Sequence, residues 1–328
     1  MDRTKILYHL LALAVVAVWG VTFVCTKVLI AAGLRPAEIF ALRFALAYLG
    51  IRVLTLAQGA ARTTPAAGGS SRSVRRTRSR VWSRNWRDEL MFVFLGITGG
   101  SFYFLTENTA LAYTQASNNS FMVCSAPLLT ALLILLYRRV RRDRFSEAME
   151  DVRPDFPLVG GTLLAFSGMA LMLFDGARVQ VSLRGDLLAL GAALCWAFYS
   201  LFMGKMTEEY GAVFATRKVF FYGLLTILPF LPGREPGTLW EILRQTPVVL
   251  NLLFLGLAAS LACFVAWNLV MARLGNITAT NYVYLNPVFT LISAMLLLGE
   301  RLTWAGAAGS ALILGGIILA GRRRSGSG

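Results

Sequence analysis

Apolar residues in this chain come in long unbroken blocks rather than in one-sided helical stripes. A block of about 18 or more apolar residues with few charges is what a helix crossing a bilayer needs. Polar and charged residues gather between the blocks and delimit ten predicted spans: 7–32, 37–57, 90–112, 118–137, 157–175, 185–205, 213–231, 248–272, 279–299 and 302–321.

One stretch occurs twice. Trp267 to Glu300 reads as two apolar runs joined by a polar corner at Arg273 to Thr278, and a shift of 160 positions lays it on the stretch beginning at Glu107 without a gap. Asn108 then falls on Asn268, Ala112 on Ala272, Val123 on Val283, Pro127 on Pro287, Thr130 on Thr290 and Leu136 on Leu296. Asn and Pro inside apolar helices each need a structural reason, so their shared spacing points to an internal duplication. Trp19 in the first span and Trp196 in the sixth extend the match once the basic stretch Gln58–Arg87 is set aside as an insertion. Spans five and ten echo each other too, with Gly161 on Gly309 and Gly168 on Gly316. Small residues so spaced let helices approach closely in lipid.

Each half carries five predicted spans, an odd number, so the second half enters the membrane upside down. The expected fold is an all-α polytopic membrane protein of ten transmembrane helices arranged as two inverted five-helix repeats. Residues 1–57 and 89–175 form the first repeat, and 176–321 the second. Residues 58–88 are expected to be a disordered basic loop, and 322–328 a tail. Inverted repeats place a pseudo-two-fold axis in the membrane plane and a solute site near its midplane.

Composition agrees with a membrane protein: the 328 residues are 56% hydrophobic and 15% charged, against about 25% charged in a soluble domain. Lys and Arg crowd into alternate loops, with eight arginines between Arg62 and Arg87 and three from Arg322 to Arg324. The positive-inside rule then puts both termini in the cytoplasm and explains the net charge of +15 without a nucleic-acid partner. The basic segment 58–88 is expected to act as a topology determinant, with anionic lipid as the other reading. The first apolar block is too long for a signal-peptide core and is read as an uncleaved span. Cys25, Cys124, Cys195 and Cys263 all sit in apolar runs with no CxxC pair, so neither disulfides nor a zinc site is indicated. The single histidine, His9, excludes a relay of several histidines.

The chain resembles the drug/metabolite transporter superfamily, in particular its EamA-type ten-helix members. The resemblance rests on Trp19 followed by Lys27, Arg43 with Phe44, Pro127, the segment from Trp196 to Lys205, NYVYLNPVFTLISAMLLLGE, and the Gly-rich last span. It covers the chain outside residues 58–88. It implies a proton- or solute-coupled exporter or exchanger of amino acids and other small metabolites, and it says nothing of the particular substrate. Glu300, at the end of span nine, has no counterpart in the first half, where residue 140 is Val. That departure weakens any idea of identical ion sites in the two halves.

Charges inside spans are costly and tend to face a protein interior or an aqueous cavity. Arg43 and Glu107 are the candidates here, with Lys27 at a similar depth. Glu107 is expected to pair with Arg43 or Lys27, or to change protonation during transport; its repeat mate is Trp267. Lys27 and Lys218 are expected to snorkel from helix ends. Asn108 and Asn268 either bond solute or join helices. Pro127 and Pro287 are expected to remove mid-helix hydrogen bonds, which either exposes backbone to a cavity or simply kinks the helix. Trp19, Trp196, Tyr199, Asn281 and Tyr284 are expected to wall a pocket, with Asn281, Tyr284 and Pro287 on one helical face.

Nothing supports catalysis. No Walker A sequence is present, no Ser/His/Asp set can form around His9, and no carboxylate cluster suggests a metal. Neither a cofactor nor a metal is expected. The sequence therefore reads as a secondary active transporter of the cell inner membrane, with a small-molecule solute, membrane lipid, and a proton or counter-solute as its partners. A non-transporting membrane sensor or scaffold is the alternative.

Overall fold

The computed structural model describes residues 3–60, 82–142, 156–174, 182–231, 233–274, 282–283, 285–300 and 304–321. Among them all regular structure is helical. In the first half lie α1 (Arg3–Ala31), α2 (Pro36–Ala60), α3 (Trp86–Gly96), α4 (Phe102–Leu111), α5 (Ala116–Val123), α6 (Ala126–Val140) and α7 (Phe156–Phe174). In the second lie α8 (Leu183–Tyr210), α9 (Ala212–Ile227), α10 (Pro236–Leu243), α11 (Thr246–Leu253), α12 (Cys263–Leu274), α13 (Asn286–Leu298) and α14 (Trp304–Gly321).

Six of these segments are long and apolar enough to cross a membrane: Lys5–Ala31, Trp86–Leu111, Ala116–Val140, Leu183–Tyr210, Ala212–Phe230 and Thr246–Trp267. Their surfaces suit lipid. Leu7, Leu10, Leu136, Leu187 and Leu250 all point outward and are mostly exposed. Helices satisfy their own backbone groups, which is why lipid tolerates them.

Local chemistry sets the breaks. Gly33 (φ 97°) follows α1 and Gly211 (φ 81°) follows α8, each in the left-handed region that stops a helix at low cost for glycine. These two turns occupy the same place in the two halves, 178 positions apart, against 177 for Trp19 and Trp196. The helix from Trp86 widens to π-helical turns at Ile97–Ser101, and the helix from Thr246 does so at Phe254–Ala262. A shift of 160 lays the first widening inside the second.

Pro127 and Pro287 correct an expectation. Neither removes a hydrogen bond from a helix interior. The chain breaks at Cys124–Ser125, and Pro127 sits in the first turn of α6; Leu285 precedes α13, and Pro287 sits in its first turn. A first-turn N–H has no helical acceptor anyway, so proline costs nothing there. The two fresh starts, Ala126 and Asn286, are again 160 apart.

The helices pack in matching pairs. α1 lies against α13 and α12, as α8 lies against α6 and α4. α2 lies against the π turns at Phe254–Ala262, as α9 lies against those at Ile97–Ser101. α7 and α14 lie against each other. Their contact is reciprocal: a Cβ on Gly168 would stand 2.5 Å from the Gly309 carbonyl oxygen, and one on Gly316 would stand 2.4 Å from that of Gly161. The earlier glycine of each helix thus meets the later glycine of the other, so the two run antiparallel. Between α2, α4 and α9 the interior is aromatic, with Phe40 stacked on Phe44 at 4.4 Å and Phe220 edge-on to Phe44 at 4.9 Å.

Only the two ends of the segment 58–88 fall among the described residues. α2 runs on to Ala60, and Ser83 and Arg84 are tied to the bundle through Glu89 and Tyr210. Residues 61–81 lie outside the described residues.

Candidate functional site

The charges that stood out in apolar blocks come together in the interior. Arg43 on α2 is 3% exposed and Glu107 on α4 is 7% exposed. Arg43 donates through Nε to Ser260 Oγ at 2.6 Å, in the π turns of the second half. Its guanidinium lies over the Phe104 ring at 4.7 Å and near Phe44 at 5.5 Å. Such stacking favours a cation that has left water. Glu107 accepts from the Tyr103 hydroxyl at 2.9 Å. Arg43 and Glu107 attract each other electrostatically but form no direct ion pair.

Aromatic side chains continue from this pair. Tyr103 stands edge-on to Phe104 at 4.7 Å and packs on Trp196 at 5.0 Å. Trp196 packs in turn on Tyr199 at 5.0 Å, whose ring occupies the space left by Gly99. Trp19 donates to the Ala259 carbonyl at 3.1 Å and packs on Trp267 at 5.1 Å. Each of the two repeated tryptophans therefore braces a helix of its own half against the other half.

Asn108 donates to the Pro36 carbonyl at 3.2 Å and joins α4 to α2, while its Oδ1 is buried without a partner among the described residues. Asn268 lies on α12, and its side chain is outside the described residues, as are Asn281 and Tyr284. A cavity of about 660 Å³ lined by Thr109, Leu183, Arg184, Leu187 and Leu188 opens between α4 and α8. Most of its lining is outward-facing, and it contains neither Arg43 nor Glu107, so the charge pair is the better candidate on chemical grounds.

Lys27 and Lys218 do not snorkel. Lys27 pairs with Glu300 at 3.2 Å and donates to the Thr114 carbonyl at 3.1 Å. Glu107 therefore does not take Lys27 as its partner. Glu300 also accepts from the Ala116 N–H at 2.8 Å and the Ser117 hydroxyl at 2.7 Å, at the start of α5. A carboxylate belongs there, where unpaired N–H groups and the helix dipole converge. Burial pushes the Glu300 carboxyl up. The Ala116 and Ser117 donors and the Lys27 charge outweigh it and hold the group below its ordinary range. At the other end of the bundle Lys218, 5% exposed, pairs with Glu89, which also accepts from Tyr222 and Ser83. Trp82 covers Lys218 at 4.7 Å. The two ends are thus closed by different devices. Residue 140, the mate of Glu300, is Val, and residue 249, the mate of Glu89, is also Val.

Sequence reasoning missed Ser260, Tyr103 and the Glu300 contacts. Tyr103 had a weak signal, since it stands one helical turn before Glu107. Ser260 had none beyond falling on the small residue Gly100 in the repeat.

The sequence profile of the EamA-like transporter family matches residues 6–143 and 183–322, once in each half. A probable terminal-alkyne amino-acid exporter of Streptantibioticus cattleyicolor is 26% identical over 240 residues, 73% of this chain and 75% of that protein. A probable amino-acid metabolite efflux pump of Salmonella typhimurium is 28% identical over 182 residues, 53% of this chain and 59% of that protein. An uncharacterized transporter of Archaeoglobus fulgidus is 25% identical over 228 residues, 69% of this chain and 73% of that protein. A crystal structure with 21% sequence identity matches with a TM-score of 0.58, covering 95% of this chain and 96% of that one. That likeness speaks to the fold alone.

Proposed function

Because the chain belongs to the EamA-like transporter family, a multi-pass family of transporters, we propose that it is a secondary active exporter or exchanger of small metabolites such as amino acids. In this reading ten spans form two inverted five-helix repeats, with both termini cytoplasmic in the cell inner membrane. The halves rock about a midplane site and expose it to each side in turn. The observation that carries the reading is the antiparallel, reciprocal crossing of α7 and α14 through Gly161, Gly168, Gly309 and Gly316. Equivalent helices that run antiparallel are what an axis lying in the membrane plane generates. The repeated π turns and repeated helix starts support the same operation. The amino-acid class is supported by the names of two relatives and by a buried cation and anion beside an aromatic wall.

Glu107 is the proposed place for proton coupling, with counter-solute exchange as the other source of drive. Purified protein in liposomes, loaded with a labelled amino-acid panel, tests the function. Flux of at least one solute is expected, with loss in Arg43→Ala. No flux of any solute would contradict the transporter reading. A pH–rate profile unchanged by Glu107→Gln would remove proton coupling.

A further inference from the structure

The charge pair in the interior is only half used. The Arg43 guanidinium carries five N–H donors in a planar fork, and the structure uses Nε alone, on Ser260. The two η nitrogens have no hydrogen-bond partner among the described residues. Glu107 receives Tyr103 on Oε1, and Oε2 has no partner among them either. Two opposite charges this deeply buried would ordinarily meet, because each alone forfeits its hydration with nothing to offset the loss. Here each is held back by a partner of its own: Ser260 in the second half draws Arg43 aside, and Tyr103, one turn away on the same helix α4, holds Glu107. Phe104 and Phe44 fix the plane of the guanidinium.

Resting on the transporter reading above, we infer that Arg43 and Glu107 form a two-point site for a zwitterionic α-amino acid. The carboxylate lies bidentate on the free edge of Arg43, and the ammonium lies on Glu107 Oε2. Planar, two-toothed recognition of a carboxylate is what arginine offers and lysine does not. A ligand carrying both charges completes both partners at once. A ligand carrying one charge leaves the other group buried and unanswered. Beside the charges the wall is Phe104, Tyr103, Trp196 and Tyr199, so the favoured side chain is apolar, and aromatic above all.

Phenylalanine, phenethylamine and 3-phenylpropionate share one ring and differ only in charge, so they separate the two contacts. Each competes against labelled phenylalanine in counterflow with the full chain in liposomes, and each is added to the detergent-purified protein in a thermal-shift assay. Phenylalanine is expected to win in both assays, with either single-charge analogue at least about tenfold weaker, the equivalent of about 1.4 kcal/mol. Glu107→Gln is expected to narrow the gap to 3-phenylpropionate, and Arg43→Met the gap to phenethylamine. The thermal-shift ranking on the unmodified protein needs neither variant to fold. If the analogues match phenylalanine while the protein still moves some solute, the two-point site is overturned and the transporter reading survives. If the unmodified protein moves no solute and shifts with none, both fall together.

Discussion

Arg43 on α2 is hydrogen-bonded to Ser260 across 217 positions of sequence, and this 2.6 Å contact ties the charged centre of one half to the π turns of the other. Ser260 is fully buried, so no water replaces its hydroxyl. Ser260→Ala is expected to leave a buried guanidinium N–H unpaired and to cost about 1–3 kcal/mol, more if the full charge is felt. Ser260→Thr keeps the hydroxyl and is expected to retain most of the stability. Thermal unfolding in detergent compares the three proteins, and an unchanged midpoint for the alanine variant would count against the bond.

The α7–α14 crossing depends on bare backbone. Gly168→Ala and Gly316→Ala each force a methyl to within about van der Waals overlap of a carbonyl oxygen, at 2.5 and 2.4 Å. Either is expected to cost about 1–3 kcal/mol of stability, as overpacking does, and so to lower the unfolding midpoint. Gly191→Ala meets nothing within 4 Å and serves as the control. It is expected to be neutral or slightly stabilising, since alanine is the better helix former. Equal effects at all three positions would show that the crossing is not close.

Glu300 gives stability a direction with pH. Its carboxyl is lowered from the ordinary 4.5 in the folded chain. Stability from such a group is present in full above the unfolded value and is lost as pH falls through the folded one. Acidification below about 4.5 is therefore expected to loosen the contact of Glu300 with Lys27, Ala116 and Ser117. Glu300→Gln should show less of this acid loss than the parent. Unfolding midpoints across a pH series read the difference, and identical acid profiles for the two proteins would count against it.

Lys218 and Glu89 close the other end as a pair in which both side chains are largely covered. Removing one partner of a buried pair strands the other, at a cost of about 3–5 kcal/mol. Lys218→Met is expected to be costly alone and much less so together with Glu89→Gln. A double-mutant cycle on thermal stability measures the coupling, and additive losses would mean that the pair is not coupled.

Pro127 and Pro287 show how far a sequence can be read here. Their shared spacing revealed the repeat, because an identity at one period survives any local geometry. Their effect was misjudged, because nothing in the apolar runs marks where a helix stops and restarts. The same limit governs the site. Arg43 and Glu107 stand out as charges among apolar residues, since lipid penalises them. Ser260 and Tyr103 are ordinary residues of membrane helices and acquire meaning only when folding sets them beside a charge. Lys27 and Glu300 lie 273 positions apart, and neither looks like a partner until the two halves meet. The packing of α7 on α14 was foreshadowed by spaced glycines, since close approach in lipid leaves a signature of small residues.

The most direct measurement asks from which side of the membrane two equivalent turns can be reached. Arg35 follows the Gly33 turn and Glu208 precedes the Gly211 turn, and both are exposed. Arg35→Cys and Glu208→Cys, each treated in intact cells with a membrane-impermeant thiol reagent, separate the two sides. The parent chain, with Cys25, Cys124 and Cys263 buried and Cys195 partly so, sets the background. With inverted halves, Arg35→Cys labels from outside and Glu208→Cys labels only once the cells are opened. Labelling of both from the same side would contradict the inversion, and with it the alternating exposure of the site between the halves.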